Sequence, residues 1–168
     1  TAFDTIYRVH GKHLYPGFIV PNTTLGITEI DQVRASHDYR ETGAINPNVR
    51  TLIAYNTDSK IAKTVRSNGV LIAQVTPRGG MISGQSSIMH LDGWNWEDAL
   101  LHPDVGMHMH WPSFTQRRRS PETGLFETVD NENYDGQKQL LHSLFQNAQS
   151  YTGEPLNLNL QALQPVLN

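Results

Sequence analysis

Runs of apolar residues along the chain predict several strands. Phe18-Ile19-Val20 is a short apolar run stopped by Pro21, and it predicts a buried strand. The run Val70–Val75 follows a helical segment and a glycine without polar interruption, which is typical of a parallel strand buried on both faces. Residues 104–111 are a third strand candidate, closed by Pro112.

Helical spacing of apolar residues indicates three further elements. Residues 58–67 predict a helix with Thr57 or Asp58 as its N-cap, ended by Asn68 and Gly69. Residues 95–101 predict a short helix. Residues 134–151 give the clearest helix, with one apolar face made by Leu140, Leu141, Leu144 and Phe145. Residues 49–55 fit either a strand or a buried helix, because periodicity does not separate the two.

Turn-forming residues divide these elements. Two short alternating runs, residues 5–9 and 12–15, meet at His10-Gly11 and predict a small β-hairpin. The glycine-rich residues 76–87 predict a loop after the second strand, and residues 113–133 predict a polar excursion loop. The tail, residues 156–168, is apolar but irregular. Strands alternating with helices predict an α/β fold with parallel strands.

Composition narrows the classes of function. The chain has 168 residues, of which 38% are hydrophobic and 17% charged, so a real core is expected. The net charge of −3 gives no reason to expect nucleic acid as a partner, and no apolar stretch has membrane-spanning length. Cysteine is absent, which removes thiolate ligands and a cysteine nucleophile.

A series of short motifs resembles one enzyme family. Residues 15–19, Tyr-Pro-Gly-Phe-Ile, are followed by Leu25-Gly26, and this step is similar to the barrel entry of metal-dependent amidohydrolases related to imidazolonepropionase and dihydroorotase. Further stretches in the same order are similar to one branch of that family: residues 29–35, 45–47, 66–70 and 77–84.

The resemblance implies a fold and a domain division. Residues 1–15 are expected to form the edge of a small composite β-domain, and residues 16–168 the N-terminal part of a TIM-like (β/α)8 barrel with parallel strands. A complete barrel typically needs about 250 residues, so this chain would supply roughly its first half. The alternative is a small open α/β sheet.

The resemblance also implies a zinc-like divalent metal held by a His-x-His pair. In this chain those two positions are Asn22 and Thr24. An amide and a hydroxyl are much poorer ligands than imidazole, so we expect no transition metal at Asn22 and Thr24. Both residues remain candidates for substrate binding.

A second candidate metal site is His108-Met109-His110. Alternation along a strand places both imidazoles on one face, a spacing that permits shared coordination. The plainer interpretation is a polar strand face on which each histidine binds backbone or water.

The glycine-rich loop that begins at Arg78 is a further candidate for substrate binding. Glycines at the end of a strand let backbone N–H groups approach a substrate, and Arg78 could hold a carboxylate. The plainer interpretation is a loop whose glycines serve only its turns. Trp94, Trp96 and Trp111 either line an aromatic pocket or fill the core.

Three functional hypotheses follow from these residues. The first is an amidohydrolase, or part of one, that hydrolyses C–N bonds of cyclic amides or related small molecules, with Asn22, Thr24, Arg78 and His108 binding substrate. The second is a non-catalytic relative that binds a small molecule or a partner chain. The third is a stand-alone α/β domain with a site at His108 and His110. In the first two, the remainder of the barrel or a second chain is expected to cover the open edge of the sheet.

Overall fold

Four strands form one mixed sheet in the computed structural model, which describes residues 5–167. The spatial order is β1-β2-β3-β4. Their bounds are β1 Phe18–Thr23, β2 Val70–Val75, β3 Ile82–His90 and β4 Leu100–Met109. The strand predicted at Val70–Val75 is confirmed, although Leu71 in it is 46% exposed and only Ala73 and Val75 are fully buried.

The predicted parallel barrel is wrong. β1 and β2 are parallel, but β2 and β3 are antiparallel, and so are β3 and β4. The turn after β2 is short, and an antiparallel neighbour needs only a short turn, whereas a parallel neighbour needs a long crossover. β1, β2 and β4 therefore run in one direction and β3 in the other. Together they form a four-stranded mixed sheet and not a run of parallel barrel strands.

β3 replaces half of the predicted glycine loop, namely residues 82–87. Only residues 76–81 connect β2 to β3. The second half of β3 pairs with β2. Its first half pairs with residues 45–50 through the isolated parallel bridges Ile45↔Ile82 and Arg50↔Gln85. Gly84 is required at this contact, because its φ is 127° and an added Cβ would lie 2.5 Å from the carbonyl oxygen of Val49.

Four α-helices accompany the sheet: α1 Lys60–Ser67, α2 Trp96–Ala99, α3 Tyr134–Ser150 and α4 Leu158–Leu167. The N-cap of α1 is Ser59, whose hydroxyl accepts from the amide of Ala62 at 3.2 Å, and not Thr57 or Asp58. Residues 49–55, ambiguous in sequence, contain the 3-10 helix Thr51–Ala54, and a second 3-10 helix spans Arg34–Ser36.

Two predicted irregular segments are ordered. The excursion at residues 113–133 contains β5 Thr115–Arg119 and β6 Phe126–Asp130, which form an exposed antiparallel ribbon. The tail contains α4, which packs on α3. Neither was predicted from the sequence, because the strands of the ribbon are mostly polar and α4 is short and contains Pro165.

The core has two parts. One lies between β2, β3, α1 and the 3-10 helix at Thr51–Ala54, and its buried residues are Ile27, Leu52, Tyr55, Ala62, Ala73, Val75, Met89, Leu91 and Ala99. The other joins the start of β3 to the two C-terminal helices through Ile82, Leu141, Ala148 and Leu163.

The predicted N-terminal hairpin is also wrong for its described part. Residues 5–17 contain a turn at His10-Gly11 but no strand, so alternation there did not produce pairing. The assignment of residues 1–15 to a separate small β-domain stays a prediction. Among residues 5–167, no helix has the length and apolar character needed to cross a membrane.

Candidate functional site

The C-terminal ends of β1, β2 and β4 lie at the same end of the sheet. β1 and β2 end side by side, and the amide of Thr76 donates to the carbonyl of Thr23 at 2.8 Å. β4 runs in the same direction and ends at Met109, opposite Ile82 at the start of β3. Side chains far apart in sequence are therefore brought together by the direction of these three strands.

Arg78 links the first two strand ends. Its guanidinium Nη2 donates to the carbonyl oxygen of Asn22 at 3.1 Å, and its backbone amide donates to Tyr39 at 2.7 Å. Asn22 has a φ of 50°, a left-handed conformation that asparagine tolerates better than most residues. Arg78 and Asn22 are both exposed, so this part of the site is an open surface.

The loop after Arg78 is shaped by two glycines. Gly79 and Gly80 have φ values of 92° and 67°. The hydroxyl of Ser83 donates to the carbonyl of Gly79 at 2.7 Å, and a Cβ on Gly80 would lie 2.8 Å from the carbonyl oxygen of Ala44. Gly80 is therefore needed for the close approach of neighbouring backbone as well as for the turn, whereas a Cβ on Gly79 would meet the side chain of Arg40.

His108 lies on β4 directly opposite Gly84. Its Nε2 is buried and has no hydrogen-bond partner within residues 5–167. Burial lowers the pKa of His108, and the nearby charges of His110 and Arg78 lower it further. His108 is therefore a neutral imidazole at neutral pH, and it lies within electrostatic range of Arg78.

His110 follows the end of β4 and adds a second imidazole. Its Nδ1 lies 3.5 Å from the hydroxyl oxygen of Ser83, and its backbone amide donates to Met81 at 2.8 Å. We call Asn22, Arg78, His108 and His110 the strand-end cluster. Thr24, the fourth predicted substrate-binding residue, lies just past β1 and is half-buried, and its carbonyl accepts from Ile27.

A polar chain beneath the cluster was missed in the sequence. The amide of Asn22 lies 3.4 Å from Gln74 Oε1, and Gln74 Nε2 donates to the hydroxyl of Ser86 at 3.2 Å. Ser86 in turn donates to the carbonyl of Gly106, two residues before His108. The available signal was Gln74 itself, a polar side chain inside an apolar strand, which needs a partner when buried.

The residues present do not fit a complete metal site. Within residues 5–167, no group of three or more histidine, aspartate or glutamate side chains is placed to hold a metal ion. His108 and His110 supply at most two ligands, whereas protein zinc sites take three or four. No catalytic step is therefore assigned to a metal.

The three tryptophans lie in different surroundings. Trp96 packs against the core, Trp94 is 93% exposed, and Trp111 places its indole nitrogen 3.5 Å from the hydroxyl of Tyr134. Trp94 lines a cleft of about 430 Å³ with Asp92 and Arg66. Leu91, beside this cleft, pairs with Leu71 near the start of β2, so the cleft is at the opposite end of the sheet from the strand-end cluster.

The fold is similar to that of an amidohydrolase. The crystal structure of an amidohydrolase from Thermotoga maritima MSB8 superposes with a TM-score of 0.73 over 99% of this chain, at 16% sequence identity. The superposed part is 48% of that protein, so this chain spans about half its length. No protein-family model matches the chain, and no curated protein matches it. The likeness supports an amidohydrolase-like fold and leaves the imidazolonepropionase branch as a resemblance in sequence.

Proposed function

We propose that this chain is part of an amidohydrolase-type enzyme that hydrolyses C–N bonds of cyclic amides or related small molecules. The observation that carries this proposal is the superposition on the Thermotoga amidohydrolase over 99% of the chain. The strand-end cluster supports it, because Asn22, Arg78 and His108 come from three separate strand ends and lie near one another. In this proposal, Asn22, Thr24, Arg78 and His108 contact the substrate.

The cluster can polarise an amide but does not by itself explain water activation. Arg78 is a permanent cation, and His108 has a ring nitrogen without a partner in the described chain. An exposed cation such as Arg78 stabilises charge that develops on an amide oxygen, whereas the buried Nε2 of His108 would first have to become accessible to the substrate. A divalent metal, if one takes part, needs ligands in addition to His108 and His110.

A turnover assay of the natural full-length protein tests this proposal. We expect release of amine or ring-opened product from at least one member of a panel of cyclic amides. Arg78→Gln and His108→Asn should each lower kcat/KM by about 10-fold or more, because the first removes the positive charge and the second removes the imidazole. Arg118→Gln, on the exposed ribbon, should have no effect. If both cluster variants turn over substrate as fast as the original protein, the strand-end cluster takes no part in the reaction.

A second candidate function is a non-catalytic relative that binds a small molecule or a partner chain. It is favoured by the incomplete ligand set within residues 5–167. Metal analysis of the purified full-length protein separates the two candidates. Stoichiometric metal with turnover supports the enzyme. Saturable ligand binding without turnover, with or without added zinc, supports the relative.

We also propose that the remainder of the protein or a second chain covers β1. This strand is at the edge of the sheet, and Phe18 and Ile19 in it are 68% and 64% exposed. Unpaired edges of this kind readily associate.

A further inference from the structure

Trp94 presents its indole ring to solvent at the opposite end of the sheet from the strand-end cluster. The residue is 93% exposed, although large aromatic side chains usually bury most of their surface. The backbone beneath the ring is held on both sides. The amide of Trp94 donates to a carboxylate oxygen of Asp98 at 2.9 Å, and its carbonyl accepts from the hydroxyl of Thr57 at 3.3 Å. The exposed ring therefore stands on a fixed turn.

The turn that carries Trp94 is also tightly packed. A Cβ added to Gly93 would lie 2.8 Å from the Cβ of Ala99, which is fully buried. On the other side of Trp94, the side chain of Asn95 accepts from the amide of Asp98 at 2.8 Å. A ring on a fixed backbone loses little conformational entropy when a ligand stacks on it, so this arrangement favours binding.

Charged side chains of both signs line the cleft beside this ring. The cleft has a volume of about 430 Å³, within the range of small-molecule sites, and its charged lining residues are Asp58, Lys63, Arg66 and Asp92. Lys63 pairs with Asp58 at 3.1 Å, and Arg66 pairs with Asp92. Both carboxylates are largely exposed, so they keep lone pairs for further hydrogen bonds. We call these four residues and Trp94 the Trp94 cleft.

An adjoining depression extends the Trp94 cleft. It has a volume of about 650 Å³, shares Asp92, Gly93 and Trp94 with the cleft, and is also lined by His90 and Asp98. A ligand with more than one ring could therefore place one ring on Trp94 and extend along the surface from there.

The charge balance of the Trp94 cleft favours a neutral ligand. Its two cations are each paired with a carboxylate, so they carry no surplus positive charge for an anionic ligand. The same cations oppose a positively charged ligand over the indole. A hydroxyl group both donates and accepts, and so it suits a surface on which carboxylates and N–H groups alternate. A sugar ring combines several hydroxyls with an apolar face that can lie against an indole.

We propose that the Trp94 cleft binds a neutral oligosaccharide, with one sugar ring stacked on the indole of Trp94 and its hydroxyls bonded to Asp92 and Arg66. The site is at the opposite end of the sheet from the strand-end cluster, because Leu91 beside it pairs with Leu71 near the start of β2. It is therefore separate from the proposed amide site, and its binding does not depend on hydrolase activity.

Titration of the full-length protein with neutral trisaccharides tests the inference. The probes are cellotriose, maltotriose and mannotriose, and we expect at least one to bind with a Kd of about 1 mM or tighter and to change the tryptophan fluorescence. Trp94→Ala should weaken this binding by about 10-fold or more, because the stacking surface is lost. Trp94→Phe should keep part of it. Trp111→Ala, which removes a 57% exposed tryptophan at the other end of the sheet, should bind like the original protein.

A second pair of variants tests the hydrogen bonds. Asp92→Asn keeps the size of the side chain but removes its charge, and it should weaken binding by about 3- to 10-fold. Asp135→Asn, which changes a similarly exposed and paired carboxylate on α3, should leave binding unchanged. Circular dichroism checks that each variant keeps the fold.

Several results would overturn the inference. They are no binding of any trisaccharide, equal affinity in Trp94→Ala, or loss of binding in Trp111→Ala instead. Tighter binding of tetramethylammonium or inorganic phosphate at Trp94 would also overturn it. Acrylamide quenching of the original protein, compared with Trp94→Phe, measures whether the ring is accessible in the full-length protein, and a shielded ring would rule out stacking. Absence of amide turnover leaves this inference standing, because sugar binding uses no residue of the strand-end cluster.

Discussion

Tyr55 ties the core to the backbone of β3 at a single residue. Its ring is buried, and its hydroxyl donates to the carbonyl of His90 at 3.1 Å. Burial raises the pKa of Tyr55 from its ordinary value of 10.0 to about 12. Gly26 packs against this ring so closely that a Cβ there would lie 2.3 Å from it. The position of Tyr55 therefore depends on a glycine far from it in sequence.

The raised pKa of Tyr55 predicts a loss of stability at high pH. The unfolded chain releases the phenol proton near pH 10, whereas the folded chain keeps it to about pH 12. The free energy of unfolding should therefore fall as pH rises from 10 to 12. Tyr55→Phe should lose this part of the pH dependence and cost about 0.5–1.5 kcal/mol at neutral pH through the lost hydrogen bond.

Urea unfolding at several pH values measures this effect. Tyr7→Phe, which changes an exposed tyrosine, is the matched control and should keep the pH dependence of the original chain. If the free energy of unfolding of Tyr55→Phe falls between pH 10 and 12 as steeply as that of the original chain, the effect does not come from Tyr55.

Elements defined by local signals could be predicted from the sequence, and elements defined by pairing could not. α3 was predicted at residues 134–151 and is Tyr134–Ser150, because its apolar spacing is a local property. Residues 82–87 of β3 were predicted as loop, because their one glycine and three serines carry little apolar pattern. The burial of Ser86 and Ser87 in β3 can be recognised only from the structure, because it results from β2 and β4 lying on either side. Strand direction likewise depends on partners far away in sequence.

The same distinction applies to the strand-end cluster. Asn22 was selected from the family resemblance, and Arg78 and His108 were selected from their places at predicted strand ends; the structure brings the three near one another. The antiparallel insertion of β3 did not disturb this, since β4 returns to the direction of β2. The role of Gln74 and Ser86 beneath them could not be predicted, because their contact requires the register between β2 and β3.

The N-cap of α1 gives a prediction at the scale of an element. Ser59 is 1% exposed, and its hydroxyl accepts from the amide of Ala62. Ser59→Ala should lower the free energy of unfolding by about 1 kcal/mol, because the first turn of α1 loses its side-chain acceptor. Ser67→Ala, at the other end of α1, should have a smaller effect, and thermal unfolding of both variants measures the difference. Equal losses in the two variants would argue against a capping role.

At the scale of the whole molecule, the exposed edge at β1 predicts association. Ile19→Lys should reduce self-association of this chain, because a charge on an edge strand opposes strand-to-strand pairing. Sedimentation velocity measures the change, with circular dichroism to confirm retained secondary structure. Ile53→Lys is the control, since Ile53 is 60% exposed but lies in a 3-10 helix. If both variants associate like the original chain, β1 is not the associating edge.

The parallel pairing of β1 with β2 also has a consequence for the order of folding. β2, β3 and β4 are joined by short connections, whereas residues 24–69 separate β1 from its partner β2. Closing a long loop costs chain entropy before any contact between its ends offsets that cost, so such pairings form late in folding. The antiparallel part of the sheet should therefore acquire protection from hydrogen exchange first during refolding. β1 should follow, and the Asn22–Arg78 contact should form only with it. The strand-end cluster would then be among the last parts of the molecule to be assembled.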